Sequence, residues 1–147
     1  MESLTRRDVL KGVMAATATM AAGSVLAAGE HMNHQGHQKT PEVVRTALHC
    51  IRDGEACLDH CIDLFKSGDT SVADCADTVV EMLAMCNALM KMASAKSKHL
   101  SAVAKVCAAV CKDCKKECEK HADKHAACKA CAKSCEECIK ACEKIAA

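Results

Sequence analysis

The sequence predicts an all-α fold, an antiparallel up-down-up-down four-helix bundle with a cysteine-lined core. Cysteines and other apolar residues recur at three- and four-residue steps, the spacing of one face of an α-helix. Segments with this spacing run for roughly 20 residues each and are joined by short turns, as in an antiparallel bundle. No segment alternates with period two, so strands are not expected.

The N-terminal segment is predicted to be a cleaved twin-arginine signal peptide over residues 1–28. Arg6 and Arg7 precede a charge-free run from residue 12 to residue 28, and the small residues Ala27 and Ala28 offer cleavage sites. A membrane anchor is the alternative, but polar residues interrupt the run and it falls short of the roughly 20 apolar residues of a span. The protein is therefore expected to be exported, to the periplasm or an associated compartment, without a membrane segment in its mature form.

Residues 29–39 are polar and without periodicity, which predicts a flexible tail containing His31, Met32, His34 and His37. The bundle is expected to occupy residues 40–147.

The first two helices are predicted from local signals. Thr40 reads as an N-cap, and Pro41 at the first helical position opens a helix that runs to about residue 66. Ser67, Gly68, Asp69 and Thr70 then predict a turn. The second helix is expected from about residue 71 to residue 93.

The last two helices carry most of the cysteines. The third is predicted from about residue 99 to residue 120, with cysteines at steps of four, three and four. Asp123 is the expected cap of the fourth helix, which runs to about residue 144.

Composition excludes several functions. Residues 29–147 hold 17 basic and 17 acidic side chains, because the full chain has 20 and 19 and the signal segment removes three and two. A balanced surface gives no electrostatic case for nucleic acid or an anionic membrane. The chain also lacks Trp and Tyr and has a single Phe, Phe65, so a core of Cys and Ala needs a further source of stability.

The cysteine spacing predicts a soft-metal site. Residues four apart on a helix stand about 5–6 Å apart at Cβ, whereas two thiolates holding one ion in a linear unit need sulfurs about 4.6 Å apart, from a metal–sulfur bond of about 2.3 Å. A disulfide of about 2.05 Å would unwind the helix. Five such pairs occur: Cys57 with Cys61, Cys107 with Cys111, Cys114 with Cys118, Cys131 with Cys135, and Cys138 with Cys142.

Thiolates at low coordination number favour copper(I). Zinc sites usually converge on turns, and iron–sulfur motifs use looped cysteine runs. Buried thiolates without counter-charge are prohibitive, so the metal-free core must hold protonated thiols that monovalent ions replace. The candidate ligands are all fourteen cysteines: Cys50, Cys57, Cys61, Cys75, Cys86, Cys107, Cys111, Cys114, Cys118, Cys128, Cys131, Cys135, Cys138 and Cys142.

The chain resembles the four-helix-bundle copper storage proteins, a bacterial cysteine-rich family with exported and cytosolic branches. The residues that carry the resemblance are His49-Cys50, Glu55-Ala-Cys57-Leu-Asp-His60-Cys61, Cys75, Cys86, Val110-Cys111-Lys-Asp-Cys114-Lys-Lys-Glu-Cys118, and the run from Cys128 to Ala147. The resemblance implies a hollow bundle whose inward cysteines bind many copper(I) ions, and it implies His60 as a further ligand. It also implies copper-requiring enzymes or copper chaperones as partners, and a homo-oligomer. With its predicted twin-arginine signal, the chain is expected to belong to the exported branch.

The resemblance has departures. Exported members carry methionines in and beside the turn after the first helix, whereas residues 62–68 of this chain have none. Cys107 is an additional thiol that extends the third-helix run by one turn. Met82 and Met90 share the cysteine stripe of the second helix, and both thioether ligation and core packing fit them. The tail fits either copper capture or a solvated segment, while His121 and His125 are interpreted as polar linker residues.

The chemistry is expected to be storage by ligand exchange, not catalysis. One alternative is a disulfide-stabilised structural protein, since the cysteine count is even and an exported protein meets an oxidising compartment. The other is a thiol–disulfide oxidoreductase using Cys-x-x-Cys pairs, although such pairs act at an exposed helix N-terminus after a strand. Free thiols in the folded protein would favour storage.

Overall fold

The computed structural model describes residues 42–147. The predicted signal peptide (1–28), the tail (29–39) and the capping residue Thr40 lie outside the described residues. Within them the fold is all-α, as predicted, with four helices: α1 (Glu42–Lys66), α2 (Ala73–Ser94), α3 (Leu100–Glu119) and α4 (Ala126–Ala146). Among these residues, no helix has the length and apolar content that a transmembrane span requires.

The helices form a closed ring. Each packs against its neighbours in sequence, and α1 closes the ring against α4. The short connections make consecutive helices antiparallel. The start of α1 and the ends of α2 and α4 therefore lie at one end of the bundle, where the core is aliphatic. We call it the aliphatic end and define it by Val43, Ala47, Leu89, Ala93 and Ala104, each no more than 7% exposed.

The opposite end of the bundle holds the turns α1–α2 and α3–α4. The first of these turns was predicted correctly. Gly68 adopts the left-handed conformation at φ +88°, which glycine enters without a steric cost, and its N–H donates to the carbonyl of Phe65 at 2.9 Å. The carboxylate of Asp69 accepts the N–H of Ser71 at 2.9 Å and completes the turn.

The predicted cap of α4 was wrong. Asp123 lies in the preceding turn, and the N-cap is His125, which makes no side-chain capping hydrogen bond. Its extended backbone (φ −127°, ψ 105°) brings the chain into the helix, while its ring bonds to His60 of α1. The side chain of the N-cap residue therefore makes a long-range contact with α1 and no local capping hydrogen bond.

Close packing of α1 on α2 depends on Gly54. A Cβ atom at this position would lie 2.5 Å from Cε of Met82 and 3.0 Å from Cδ2 of Leu83. Glycine leaves room for the fully buried Met82 side chain midway along the bundle. The contact positions the thiols of α1 relative to those of α2.

Candidate metal centre

Every cysteine of the chain lies in the described part, and all fourteen are buried and free. Each is 0% exposed, so the thiols line the interior of the bundle and none reaches its surface. The helical spacing explains this placement, because steps of three and four residues keep one face turned inward. A disulfide scaffold does not fit this arrangement. The Cys-x-x-Cys pairs also lie buried, whereas a thiol–disulfide oxidoreductase uses an exposed pair.

The sulfur atoms approach one another across helices. Cys75 Sγ lies 3.5 Å from Cys118 Sγ, Cys50 Sγ lies 3.6 Å from Cys135 Sγ, and Cys57 Sγ lies 3.7 Å from Cys128 Sγ. Helices α1, α2, α3 and α4 all contribute to these contacts. Cysteines 43 to 85 residues apart in sequence thus lie close enough to bind the same ion.

Five groups of thiols have all their sulfurs within 4.8 Å of one another. The groups are Cys50–Cys86–Cys111–Cys138, Cys57–Cys61–Cys75, Cys57–Cys118–Cys131, Cys107–Cys138–Cys142 and Cys114–Cys131–Cys135. Shared members connect the groups into two clusters, one through Cys57 and Cys131 and the other through Cys138. Cys128 joins the first cluster through Cys57. The arrangement suits thiolates that bridge several ions rather than one isolated tetrahedral site.

Three of the five pairs that lie four residues apart on one helix have sulfurs slightly closer than a linear unit requires. The Sγ–Sγ distance is 3.9 Å for Cys107 with Cys111, 4.0 Å for Cys114 with Cys118 and 4.0 Å for Cys138 with Cys142. Three sulfurs around one ion at a bond length of about 2.3 Å stand about 4.0 Å apart. These sulfur distances therefore match three-coordinate binding, and a small side-chain rotation reaches the linear span of about 4.6 Å.

The thiols divide by their contacts into two sets with one thiol between them. The outer set, towards the histidine-containing turns, is Cys57, Cys61, Cys75, Cys114, Cys118, Cys128 and Cys131. The inner set, towards the aliphatic end, is Cys50, Cys86, Cys107, Cys111, Cys138 and Cys142. Cys135 contacts members of both.

No charged side chain is buried among the thiols in the described chain. The buried polar residues are Thr46 and Ser134, whose hydroxyls donate to the carbonyls of Val43 at 3.2 Å and Cys131 at 3.0 Å. Without a nearby cation, burial disfavours the thiolate. Burial raises the pKa of the Cys61 thiol to about 11 and that of Cys128 to about 12. These thiols are therefore protonated at neutral pH until a metal replaces the proton.

Three half-buried histidines lie near the turns at the end of the bundle that holds the outer set, and we call this end the histidine end. Among the described residues, no histidine nitrogen belongs to one of the close thiol groups. His60 Nε2 lies 2.8 Å from His125 Nδ1, and the ring of His121 is centred 6.4 Å from that of His125. His125 lies in the connection before α4, as interpreted, and its ring also pairs with His60 of α1. The separation of 65 residues hid this pairing in the sequence.

Three further sulfur-bearing positions have different surroundings. Cys107 is buried and lies 3.9 Å from Cys86, so the additional thiol extends the row as expected. Met82 is fully buried beside Gly54, and its Cε contact shows that it packs between α1 and α2. Met90 is partly buried against the core. The tail residues His31, His34 and His37 lie outside the described residues.

The family model for the copper storage protein (Csp) matches residues 36–147. The chain belongs to the copper storage protein family. The Csp match extends over all four helices and every cysteine of the row. The comparison with curated proteins gives no match.

Solved Csp structures share the fold. The chain is 25% identical to copper-free Csp3 of Bacillus subtilis, with a TM-score of 0.64 and coverage of 72% of this chain and 97% of that one. The copper(I)-bound form of that protein gives a TM-score of 0.63 at 25% identity, covering 71% and 95%. The Streptomyces lividans copper storage protein Ccsp, loaded with 10 copper equivalents, is 29% identical, with a TM-score of 0.65 and coverage of 71% and 80%.

Proposed function

We propose that this protein stores copper(I) by binding many ions to the fourteen inward-facing thiols, with no turnover of a substrate. The observation that carries the proposal is the connected row of fully buried free thiols, with sulfur contacts of 3.5 to 4.0 Å. Thiolates at this spacing suit a soft monovalent ion. Related proteins loaded with copper support the same function.

Proton exchange keeps the core close to neutral during filling. Each copper(I) ion forms a Cu–S bond at a thiol and releases its proton, so one positive charge replaces another. A thiolate that bridges two ions shares its charge between them, and filling towards one ion per thiol removes the need for buried counter-ions. The absence of buried charged side chains in the described core fits this mode of binding.

Copper is expected to enter at the histidine end. His60 precedes Cys61 directly in α1, and its ring pairs with that of His125, so two imidazole rings lie at the end of the bundle that holds the outer thiols. The aliphatic end presents side chains such as Leu89 that cannot ligate copper. We expect His60→Ala to slow copper uptake severalfold in a stopped-flow assay. Uptake at the wild-type rate would remove His60 from the proposed ligand set.

An anaerobic titration with copper(I) against a coloured competing chelator tests storage. We expect on the order of ten ions per chain, as in the relative loaded with 10 equivalents. The matched variant Cys75→Ala/Cys86→Ala, which removes both thiols of α2, should bind fewer ions roughly in proportion. Saturation of the wild-type protein by one or two ions would contradict storage and favour a single tuned site.

We extend the proposal to the location of the protein. The paired Arg6 and Arg7, the charge-free run and the small residues before Gly29 support export through the twin-arginine route. The mass of the protein recovered from cells should correspond to cleavage after Ala27 or Ala28, and replacing both arginines with Lys should prevent cleavage. An unprocessed chain that stays in the cytoplasm would contradict export.

We also propose that the protein delivers copper to a copper-requiring enzyme or copper chaperone. We propose further that it assembles into a homo-oligomer and that its tail captures copper. Size-exclusion chromatography with light scattering measures the assembly. A monomer at working concentration would contradict it. Deleting residues 29–39 tests copper capture, which predicts slower uptake without the tail.

A further inference from the structure

Fewer helices contribute thiols to the row midway along the bundle. At the level between their cysteines, α1 has Gly54, and α2 has Val79 and Met82, both fully buried. The Cε atom of Met82 occupies the space beside Gly54, where an added Cβ would lie 2.5 Å away. Helices α1 and α2 therefore supply no thiol at this level, and a path for copper must follow α3 and α4.

One thiol lies on that path. Cys135 Sγ is 3.6 Å from Cys50 Sγ of the inner set, and it forms a mutually close group with Cys114 and Cys131 of the outer set. Among the fourteen thiols, no other makes a sulfur hydrogen bond with, or belongs to a mutually close group containing, members of both sets. Cys135 is therefore the thiol that these hydrogen bonds and groups place between the two sets.

Copper(I) moves between buried thiols by associative exchange. An incoming sulfur must bond to the ion before the outgoing sulfur leaves, which requires the two sulfurs to lie within about 4.6 Å, twice a bond of about 2.3 Å. Water cannot carry the ion across a level filled by Val79 and Met82, because an apolar site does not hold hydrated ions. Sulfur contacts thus determine the route.

We infer that Cys135 is the relay through which copper(I) passes from the outer to the inner set of thiols. An ion bound to Cys114 or Cys131 forms a Cu–S bond to Cys135 as its earlier Cu–S bond breaks, and the proton of the Cys135 thiol passes to the thiolate that is released. The same exchange then transfers the ion to Cys50. Copper remains copper(I), and the net charge does not change. This relay rests on the proposed storage function.

Cys135→Ser tests the relay, with Cys142→Ser as its matched control. Both residues are fully buried in α4, seven positions apart on the same face, but Cys142 contacts only the inner set. Each protein is mixed anaerobically with a copper(I)–chelator complex, and the loss of chelate colour is followed over time. Circular dichroism of each metal-free variant establishes that its helices are retained, and Cys135→Ala replaces the serine variant if the hydroxyl disturbs the core.

We expect Cys142→Ser to fill in one rapid process with a loss of about one part in fourteen of the copper. In Cys135→Ser the rapid phase should fall to about half of the wild-type amount, because seven of the fourteen thiols form the outer set. The rest should fill far more slowly, through transient opening of the bundle. Filling of Cys135→Ser at the rate and extent of Cys142→Ser would overturn the relay and leave storage intact.

A designed second connection gives an independent test. In the Cys135→Ser background, Gly54→Cys adds a thiol between Cys50 and Cys57 on the inward face of α1, and Met82→Ala makes space for it. This triple variant should recover most of the rapid phase. Cys135→Ser/Met82→Ala, which opens the space without adding a thiol, should not. Recovery in the double variant would show that steric blockage by Met82, not the missing thiol, limits transfer, and it would overturn the relay. Failure of the wild-type protein to take up more than one or two ions would overturn storage itself and the relay with it.

Discussion

The α1–α2 and α3–α4 hairpins contribute different side chains to one core. The first has five of the fourteen cysteines, the second has nine. Their other buried apolar residues differ in size. The α1–α2 side has Val43, Val44, Val72, Val79, Met82, Leu83 and Leu89, whereas Ile139 is the one buried aliphatic residue larger than Ala in α3 and α4.

This difference separates two sources of stability. Full burial of a Val, Leu or Met side chain stabilises the folded state by about 1.5–3 kcal/mol, so the α1–α2 hairpin can hold its position without metal. Cysteine packs as a small hydrophobe and Ala buries less area still. The stability of the α3–α4 hairpin therefore depends more strongly on the ions it binds.

Copper loading is expected to have the largest effect on the stability of the folded state. It should stabilise the α3–α4 hairpin more than the α1–α2 hairpin. A site saturated at about 100 times its dissociation constant stabilises the folded state by about 2.7 kcal/mol, and several sites add together. Amide hydrogen exchange measured with and without copper(I) should slow more in α3 and α4 than in α1 and α2. Removal of copper by a chelator should restore the original rates. Equal slowing in both hairpins would contradict the proposed division.

Met82→Ala should mainly reduce the free energy of unfolding, whereas Cys138→Ala should mainly reduce the copper content. Loss of the buried Met82 side chain should reduce the free energy of unfolding of the metal-free protein by about 2–5 kcal/mol, with little change in copper content. Cys138→Ala removes one sulfur from two thiol groups, so it should cost about 1 kcal/mol and lower the copper content. Chemical denaturation and the copper titration measure both quantities. A marked loss of copper from Met82→Ala would instead identify its thioether as a ligand.

Gly54→Ala should have the smallest effect. Crowding against Met82 and Leu83 costs about 1–3 kcal/mol, and the better helix propensity of Ala offsets up to about 1 kcal/mol of it. The cost of overpacking exceeds the gain in helix propensity, so we expect the free energy of unfolding to fall by about 1 kcal/mol. In the Met82→Ala background the same substitution should stabilise the protein, because its main clash is absent. Stabilisation in both backgrounds would show that Gly54 is not needed for close packing.

Local sequence signals predicted the helices with small errors. The predicted starts and ends of α1 to α3 lie within two residues of those observed, because the cysteine period, Pro41 and the turn around Gly68 are local signals. The error at Asp123 has a different origin. The backbone of His125 enters α4 while its ring pairs with His60, and a contact over 65 residues cannot be predicted from the capping preferences of neighbouring residues.

The sequence by itself determined which face of each helix turns inward and that this face carries sulfur, since a period near 3.6 residues is a property of a single helix. The tertiary structure alone decided which thiols meet. Cys50 lies 3.6 Å from Cys135 because the helices pack at a particular height and separation, set by contacts such as that of Met82 beside Gly54. Periodicity contains no information about the relative height of two helices, so the connection between the two sets of thiols arises only on packing.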